Sequence, residues 1–203
     1  DMDSIMVLAA EHDLYIIEDC AQAHGATYKG VPVGSIGHAG CWSFCQDKIM
    51  TTGGEGGMVT TNDRELWRRS WSFKDHGKSW DAIYEREHPP GFRWLHESFG
   101  TNWRMLEMQA VIGRIQLKRM PLWHQTRLKY ANQIWSTAKQ LHGLRVPEFK
   151  CDSCEDSCSV DFCAHAAYKC YVYVESDEST RDRIMAKINA RGVPCYSGSC
   201  SEV

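Results

Sequence analysis

The sequence predicts an α/β fold, with a mostly parallel sheet in a large domain and the start of a smaller α/β domain near the carboxyl end. Two short apolar segments, Leu14–Ile17 and Gly40–Phe44, have the length and composition of buried strands. Helical periodicity precedes the first segment, and an alternating segment at 168–174 follows a long helical stretch. Short apolar strands that alternate with helices are what a covered parallel sheet requires.

Local signals justify the elements of the amino-terminal half. Apolar residues at positions 5, 6, 8 and 9 predict a helix that is already under way where the sequence begins. The first strand ends in Glu18 and Asp19, and ligands of parallel sheets gather at this end of a strand. After a third strand, Met58–Thr61, either Asn62 or Asp63 can cap a helix that runs to about position 71.

The middle of the chain is predicted as a long loop followed by two helices. Residues 74–100 are polar, rich in Gly, Pro and His, and show no period, as in functional loops. Helical spacing begins near Met105, and a second helix is predicted from Pro121 to about Leu141. Further along, Ser179 and Asp182 have the spacing of a capping box.

Three parts are therefore expected. Residues 1–120 would be the C-terminal part of a large domain, 121–145 a connecting helix, and 146–203 a partial small domain. The sequence starts without Met inside a predicted helix and stops soon after another helix and a turn. We therefore expect a fragment of a longer protein that lacks both ends.

Composition favours small-molecule chemistry. A hydrophobic fraction of 43% suffices for a core, and a net charge of -3 gives no general attraction to nucleic acid or acidic lipid. No apolar run approaches the roughly 18 residues of a membrane span, and the first residues do not resemble a signal peptide. Cys20, Cys41 and Cys45 lie in apolar or glycine-rich segments, as buried reduced thiols do. The expected location is the cytoplasm, with neither nucleic acid nor membrane as a partner.

Three side chains of one cofactor chemistry occur in order along the chain. Pyridoxal phosphate requires a lysine amine, an acidic partner for its ring nitrogen and donors for its phosphate. Lys48, Asp19 and Ser43 could supply these groups. Each is weak evidence alone, because a lone Asp usually serves a turn and a lone Lys is usually solvated. The set as a whole predicts the cofactor.

Successive motifs resemble those of the DegT/StrS-type sugar aminotransferases. They are EDCAQAHGA at 18–26, WSF at 42–44 with Lys48, GEGG at 54–57, and NWRM at 102–105 followed by Glu107 and Gln109. The match runs over nearly the whole chain. It implies the fold of aspartate aminotransferase, and it implies a cytoplasmic homodimer in nucleotide-sugar chemistry, such as polysaccharide or lipopolysaccharide biosynthesis.

The resemblance implies roles for the residues of the first motif. Asp19 would pair with the pyridinium nitrogen, and Ala21 would pack against the ring face. Gln22 would reach the ring hydroxyl, although the sequence leaves His24 as an alternative donor for that contact.

The later motifs imply the reaction. Ser43 would bind the phosphate, Lys48 would carry the cofactor as a Schiff base, and Asn102 would reach the phosphate site of the neighbouring subunit. Relatives that dehydrate or deoxygenate the sugar have His in place of this lysine, so Lys48 favours transamination from an amino donor, expected to be glutamate, to a keto-sugar. The alternative is a catalytically silent pyridoxal-phosphate- or sugar-binding regulator, or an inactive truncated fragment.

The long polar loop carries candidate substrate ligands. Lys74, His76 and Arg93 could meet the diphosphate of a nucleotide-sugar, with neighbouring aromatic rings stacking on the base or sugar. A solvated loop with a few packed aromatic side chains is the alternative, and the sequence does not choose between the two.

A cysteine-rich segment raises the question of a metal. Cys151, Cys154, Cys158 and Cys163 with His165 place five soft ligands within 15 residues, and the first pair has the gap of zinc knuckles. The later gaps are irregular. We therefore favour a surface loop of reduced or disulfide-linked thiols, with a structural metal as the alternative.

Overall fold

The computed structural model describes residues 1–148 and 162–198, and the chain divides into two compact units. The first comprises Asp1–Leu128 and Lys150–Tyr168, and the second comprises Lys129–Phe149 and Lys169–Val203. These units are compact bodies within the chain. The predicted division into domains at 1–120, 121–145 and 146–203 concerns a whole protein and stays a prediction.

The first unit contains the elements that carry the candidate site. In chain order they are α1 (Met2–Glu11), β1 (Ile17–Asp19), β2 (Thr27–Tyr28), β3 (Val31–Pro32), β4 (Ala39–Ser43), β5 (Gly57–Thr60), α2 (Arg64–Lys74), α3 (Trp80–Tyr84) and α4 (Glu107–Ala138). Residues 129–138 of α4 belong to the second unit. None of the described helices combines the length and apolarity needed to cross a bilayer.

The central sheet has three strands in the order β1, β4, β5. β1 runs parallel to β4 with Asp19 opposite Cys41, and β4 runs antiparallel to β5 with Ser43 opposite Gly57. The parallel pairing of the first two predicted strands is therefore confirmed, and the third makes the sheet mixed. β1 starts at Ile17 instead of position 14, because the residues before it are not paired with β4.

One predicted helix boundary is wrong, because α4 is a single helix of 32 residues with Pro121 inside it. Proline removes one backbone donor and crowds the preceding turn, which usually ends or kinks a helix. Here the residues on both sides of the proline are held by tertiary packing: Met120 is buried and Trp123 is partly buried against the same apolar cluster. Their burial outweighs the local cost.

The predicted capping box at Ser179 is also wrong. The helix α5 (Glu178–Asn189) is capped by Asp177, whose Oδ1 accepts from the backbone N–H of Thr180 at 2.8 Å. A carboxylate at this position satisfies a free amide and also interacts favourably with the positive end of the helix dipole. In the second unit, α5 accompanies a short antiparallel pair, β6 (Leu144–Arg145) with β7 (Tyr173–Val174), so only two residues of the predicted strand at 168–174 are paired as strand.

The predicted loop at 74–100 is more ordered than its composition suggests, since α3 lies within it. Ser79 caps α3, and the ring of Trp80 contacts those of Trp67 and Trp71 on α2 with centroids 4.9 and 5.2 Å apart. Arg68 adds an ion pair to Asp81, with Nη2 and Oδ1 2.9 Å apart. Aromatic edge-to-face packing therefore ties this stretch to α2, an effect that has no local sequence period.

The buried core of the first unit lies directly after β4. Phe44, Ile49, Met50, Met120 and Ala166 form one apolar cluster. Three of these residues belong to the segment that contains Lys48, so the core anchors the backbone on both sides of the candidate catalytic lysine.

Glu18 ties the chain that precedes β4 to β1. Its Oε2 accepts from the N–H of Gly34 at 2.6 Å, and its Oε1 accepts from those of Ile36 at 2.8 Å and Gly37 at 2.6 Å. Gly34 has φ +81°, and a Cβ there would lie 2.6 Å from the ring of Trp42, so only glycine fits. A single carboxylate thus satisfies three amides of one tight connection.

We predict that Glu18→Gln destabilises the first unit by about 2–3 kcal/mol, because the amide side chain offers one acceptor oxygen where the carboxylate offers two. Amide hydrogen exchange read by mass spectrometry should show faster exchange at Gly34, Ile36 and Gly37. Glu11→Gln, on the exposed end of α1, is the matched control and should leave these amides protected. Unchanged protection in Glu18→Gln would show that the loop is held by its packing instead.

Candidate active site

Asp19 and Ser43 lie at the carboxyl ends of neighbouring parallel strands. In the register of β1 and β4, Asp19 stands opposite Cys41, and Ser43 is two residues further along β4. Strand spacing and rise then separate the Cα atoms of Asp19 and Ser43 by about 8 Å. The alternation of side chains also places the two on the same face. This is the edge at which open α/β sheets bind ligands.

The residues after β1 form a tight turn. Oδ1 of Asp19 accepts from the N–H of Ala21 at 3.0 Å, and the N–H of Ala23 donates to the carbonyl of Cys20 at 3.0 Å. The carboxylate of Asp19 is therefore held by the backbone of the turn that follows it, while the residue itself stays exposed. Ala21 is half-buried and Gln22 is exposed in the same turn.

Ser43 and Lys48 belong to one turn after β4. Oγ of Ser43 accepts from the N–H of Cys45 at 3.4 Å, and the N–H of Lys48 donates to the carbonyl of Cys45 at 3.1 Å. The turn closes on Phe44, whose carbonyl accepts from the Thr51 hydroxyl at 3.0 Å. Lys48 is half-buried and makes no ion pair with any residue in the described part of the chain.

The helix α4 holds this turn and the glycine-rich loop that follows. Oε1 of Gln116 accepts from the N–H of Thr51 at 2.9 Å, and Nε2 of Gln109 donates to the carbonyl of Glu55 at 2.7 Å. A Cβ at Gly113 would lie 3.0 Å from Cγ2 of Thr52, so a small residue lets the helix approach. The position of Lys48 therefore depends on a helix some sixty residues further along the chain.

His24 is a buried histidine close to Ser43 and Lys48. It is 4% exposed, and its ring lies 5.3 Å from that of Trp42 and 6.0 Å from that of Phe44, centroid to centroid. Burial lowers the pKa of His24, and the Lys48 cation lowers it further. The nearby backbone of Ser43 has the opposite effect on this pKa, although it forms no hydrogen bond with the ring. Neither ring nitrogen has a hydrogen-bond partner among the described residues. His24 is thus a neutral imidazole with two unsatisfied polar atoms, which a bound polar ligand could satisfy.

Tyr168 also belongs to the site, although no motif marked it. Its hydroxyl donates to Oδ2 of Asp47 at 3.0 Å, and Nζ of Lys48 lies 5.3 Å from the centroid of its ring. The sequence presents Tyr168 only as the first residue of an alternating segment, where an aromatic side chain is explained by strand propensity. Nothing local to Tyr168 signals its contact with a segment 121 residues earlier.

The polar loop gathers several cations around one carboxylate. Asp75 is 8% exposed, and its Oδ1 lies 3.2 Å from Nζ of Lys78, 3.4 Å from Nδ1 of His76 and 3.6 Å from Nε of Arg104. Nζ of Lys74 is 3.9 Å from Oδ2. Burial alone would raise the pKa of Asp75, but the hydrogen bonds and charges of these neighbours outweigh it and lower that pKa. The cluster keeps a surplus of positive charge.

The structure brings some of the predicted ligands of this loop together and not others. The backbones of Asn102 and Asp75 pair in an isolated antiparallel β-bridge, and Oδ1 of Asn102 accepts from Nε of Arg104 at 3.0 Å. Lys74, His76 and Asn102 therefore share one neighbourhood. Arg93 is exposed and makes no hydrogen bond or ion pair within residues 1–148 and 162–198. Their substrate-binding and cofactor-binding roles stay predictions.

Most of the cysteine-rich segment lies outside the described residues, including Cys151, Cys154 and Cys158. Cys163 is described, and its Sγ accepts from the N–H of Lys29 at 3.2 Å. Nδ1 of His165 accepts from the N–H of Ala167 at 3.1 Å. Within the described ranges, no three His, Cys, Asp or Glu side chains converge as a metal site would require.

Comparison with known proteins gives consistent matches. A model of the DegT/DnrJ/EryC1/StrS aminotransferase family matches residues 1–197. The UDP-N-acetyl-3-dehydro-alpha-D-glucosamine 3-aminotransferase of Acidithiobacillus ferrooxidans is 41% identical over 150 residues, which are 73% of this chain and 37% of that protein. The chain thus spans well under half the length of this curated relative.

Solved structures agree with the sequence comparison. An aminotransferase from Psychrobacter cryohalolentis superposes with a TM-score of 0.87 at 63% identity, over 97% of this chain and 50% of that one. DesV of S. venezuelae, solved in complex with a ketimine intermediate, gives a TM-score of 0.75 at 31% identity, over 95% and 45% of the two chains. The chain therefore has the predicted α/β, aspartate-aminotransferase-like fold and belongs to the DegT/DnrJ/EryC1/StrS aminotransferase family.

Proposed function

We propose that this chain is part of a pyridoxal-phosphate-dependent aminotransferase that moves an amino group from glutamate to a nucleotide-linked keto-sugar. The observation that carries the proposal is the setting of Lys48. Its amine is half-buried, has no ion pair with a described residue, and follows Ser43 in a turn at the sheet edge that also bears Asp19. A lysine kept from carboxylates is suited to carbonyl chemistry.

The residues present fit the cofactor. Asp19 and Ser43 lie on one face of the sheet edge with their Cα atoms about 8 Å apart, so both side chains could reach the same small ligand. The two unsatisfied nitrogens of His24, nine-tenths or more buried near Ser43 and Lys48, call for a polar group from a ligand. The turn after β4 also offers the hydroxyl of Ser43 to a phosphate.

Each side chain then has a chemical task. Pyridoxal phosphate, when bound, withdraws electrons from the substrate carbon that loses a proton. The carboxylate of Asp19 would keep a proton on the ring nitrogen, and the hydrogen bond from the N–H of Ala21 orients this carboxylate. The hydroxyl of Ser43 would donate to the phosphate. Nζ of Lys48 would hold the cofactor through its aldehyde carbon, and the free amine would act as general base and acid for the proton that leaves the donor carbon.

The cation-rich loop supports a phosphorylated substrate. Lys74, Lys78 and Arg104 outnumber the one carboxylate at Asp75 that they share, so the cluster attracts anions. The relative from Acidithiobacillus ferrooxidans is named for a UDP-linked sugar, and one from Streptomyces venezuelae for a dTDP-linked sugar. Asn102 is exposed, which fits its proposed reach to the cofactor of a second subunit in a homodimer.

The test of this function is to trap the cofactor covalently. We predict that borohydride treatment after addition of pyridoxal phosphate attaches one pyridoxyl group to Lys48, located by peptide mass spectrometry. Incubation with glutamate before borohydride should prevent the attachment, because the donor amine displaces Lys48. Lys48→Arg keeps the charge and should abolish the adduct.

Lys187→Arg, at an exposed lysine of α5, is the matched control and should leave trapping at Lys48 intact. Modification spread evenly over surface lysines would contradict the proposal. Selective trapping at Lys48 that glutamate leaves unaffected would instead favour a silent cofactor-binding protein.

The neutral state of His24 generates a prediction about pH. Since burial holds its folded-state pKa below the ordinary 6.5, the unfolded chain binds the proton more readily. Stability should therefore be fully present above about pH 6.5 and decline as pH falls toward the lowered folded-state pKa. His24→Gln should weaken this decline in thermal unfolding curves of the whole chain.

The control is His142→Gln, at an exposed histidine of the second unit. Burial and the nearby His124 also lower the pKa of His165, so some acid sensitivity should remain in the His24 variant. An identical pH dependence in His24→Gln and the parent protein would show that His24 does not carry the effect.

A further inference from the structure

The segment 162–168, which we call the strap, is bound along its length within the first unit. The N–H of Gly30 donates to the carbonyl of Phe162 at 2.6 Å, and Thr27 and Ala164 exchange two backbone hydrogen bonds of 3.0 Å each. Nε2 of His124 on α4 contacts the carbonyl of His165 at 2.9 Å. The strap is therefore held in place by the hairpin of β2 and β3 and by the helix α4.

The strap ends in a strained backbone conformation at Ala167 that several hydrogen bonds stabilise. Ala167 has φ +50°, a conformation that costs energy for a residue with a Cβ. Nη1 of Arg127 donates to the carbonyl of Ala167 at 3.3 Å and contacts that of Tyr168 at 3.5 Å, and Nδ1 of His165 accepts from the N–H of Ala167. A strained backbone conformation that several contacts stabilise is typical of segments that position a side chain in a functional site.

The side chain delivered is Tyr168. Its hydroxyl donates to Oδ2 of Asp47 at 3.0 Å, and its ring lies 5.3 Å from Nζ of Lys48. Asp47 is the carboxylate adjacent to Lys48 in sequence, yet the two do not form an ion pair in the described structure. The tyrosine hydroxyl engages the carboxylate, and the ring face attracts the amine in its cationic form without neutralising it.

We propose that Tyr168 is a positioning residue for Lys48: it holds Asp47 away from the amine and supports the amine on its ring, so that Lys48 stays available for attack on a carbonyl group. An amine bound to a carboxylate is held protonated and is a poor nucleophile. This inference rests on the proposed function of Lys48, and it adds a residue that lies outside the motifs of the sequence.

A structural role must be distinguished from positioning, since Tyr168 also packs against the apolar cluster around Phe44. Tyr168→Phe keeps the ring and the packing and removes only the hydroxyl. It removes this one contact of Asp47, and the proposal expects the carboxylate then to pair with Lys48. The second variant, Tyr168→Phe with Asp47→Asn, removes the carboxylate charge as well. Only a positioning role predicts that this second change restores what the first one loses.

Two measurements on the 203-residue chain report on Lys48. Trace acetylation with acetic anhydride, read by mass spectrometry against Lys187 in the same sample, gives the nucleophilicity of the amine without any cofactor. The rate of borohydride trapping with pyridoxal phosphate gives its competence toward the aldehyde. Tyr168→Phe should lower both rates about two- to fivefold, the range of one partly exposed ion pair. The double variant should return them to near the parent values.

A matched control is Tyr28→Phe, since the ring of Tyr28 lies 5.5 Å from Nζ of Lys29 in a similar pair away from Lys48. It should leave Lys48 unchanged in both measurements. Equal rates for Tyr168→Phe and the parent would overturn the inference, and so would a loss that Asp47→Asn fails to restore. If Lys48 of the parent is acetylated but never trapped by pyridoxal phosphate, the proposed function fails, and the acetylation rates alone decide the role of Tyr168.

Discussion

The three hydrogen bonds accepted by Glu18 are the constraint on which the candidate site depends. They fasten residues 34–37, the last stretch before β4, to the strand β1. The register of two short parallel strands is weakly determined by so few ladder bonds, and a slip of one residue would turn every side chain to the other face. Because Glu18 holds the connection, Asp19 comes level with Cys41 and Ser43 emerges on the same face.

Contacts from distant parts of the chain then complete what the sheet begins. The turn that carries Lys48 is closed by Gln116 of α4 and lined by Tyr168 of the strap, which itself rests on the hairpin and on Arg127. The apolar cluster around Phe44 contains residues of the turn, of α4 and of the strap. The position of Lys48 thus depends on tertiary packing as well as on its own turn. A change on α4 can therefore reach the amine without touching any motif residue.

The division between what the sequence predicted and what it missed follows from the range of the interactions. The α/β character and the cap at Asp63, one of two candidates, depend on neighbours in the sequence and were predicted, whereas the first strand begins three residues later than predicted. The unbroken helix through Pro121 depends on the burial of Met120, and the place of Tyr168 depends on Asp47 far earlier in the chain. Neither contact leaves a periodic or spacing signal. The chemistry of pyridoxal phosphate pointed to Asp19, Ser43 and Lys48 as a set, and the motif resemblance then implied the same roles for them.

The surroundings of Asp75 and of Lys48 differ in charge, and this difference bears on function. At Asp75, two lysines and an arginine share one carboxylate, so the loop stays positive and suits an anion. Around Lys48, the neighbours are uncharged or engaged elsewhere: His24 is neutral, Tyr168 presents a ring, and Asp47 is bound by the tyrosine hydroxyl. A binding site for phosphate gains from permanent charge, whereas an amine that must attack a carbonyl group has to lose its proton first. The two settings therefore match the two tasks of the proposed function, which are to hold a charged substrate and to expose an unpaired amine.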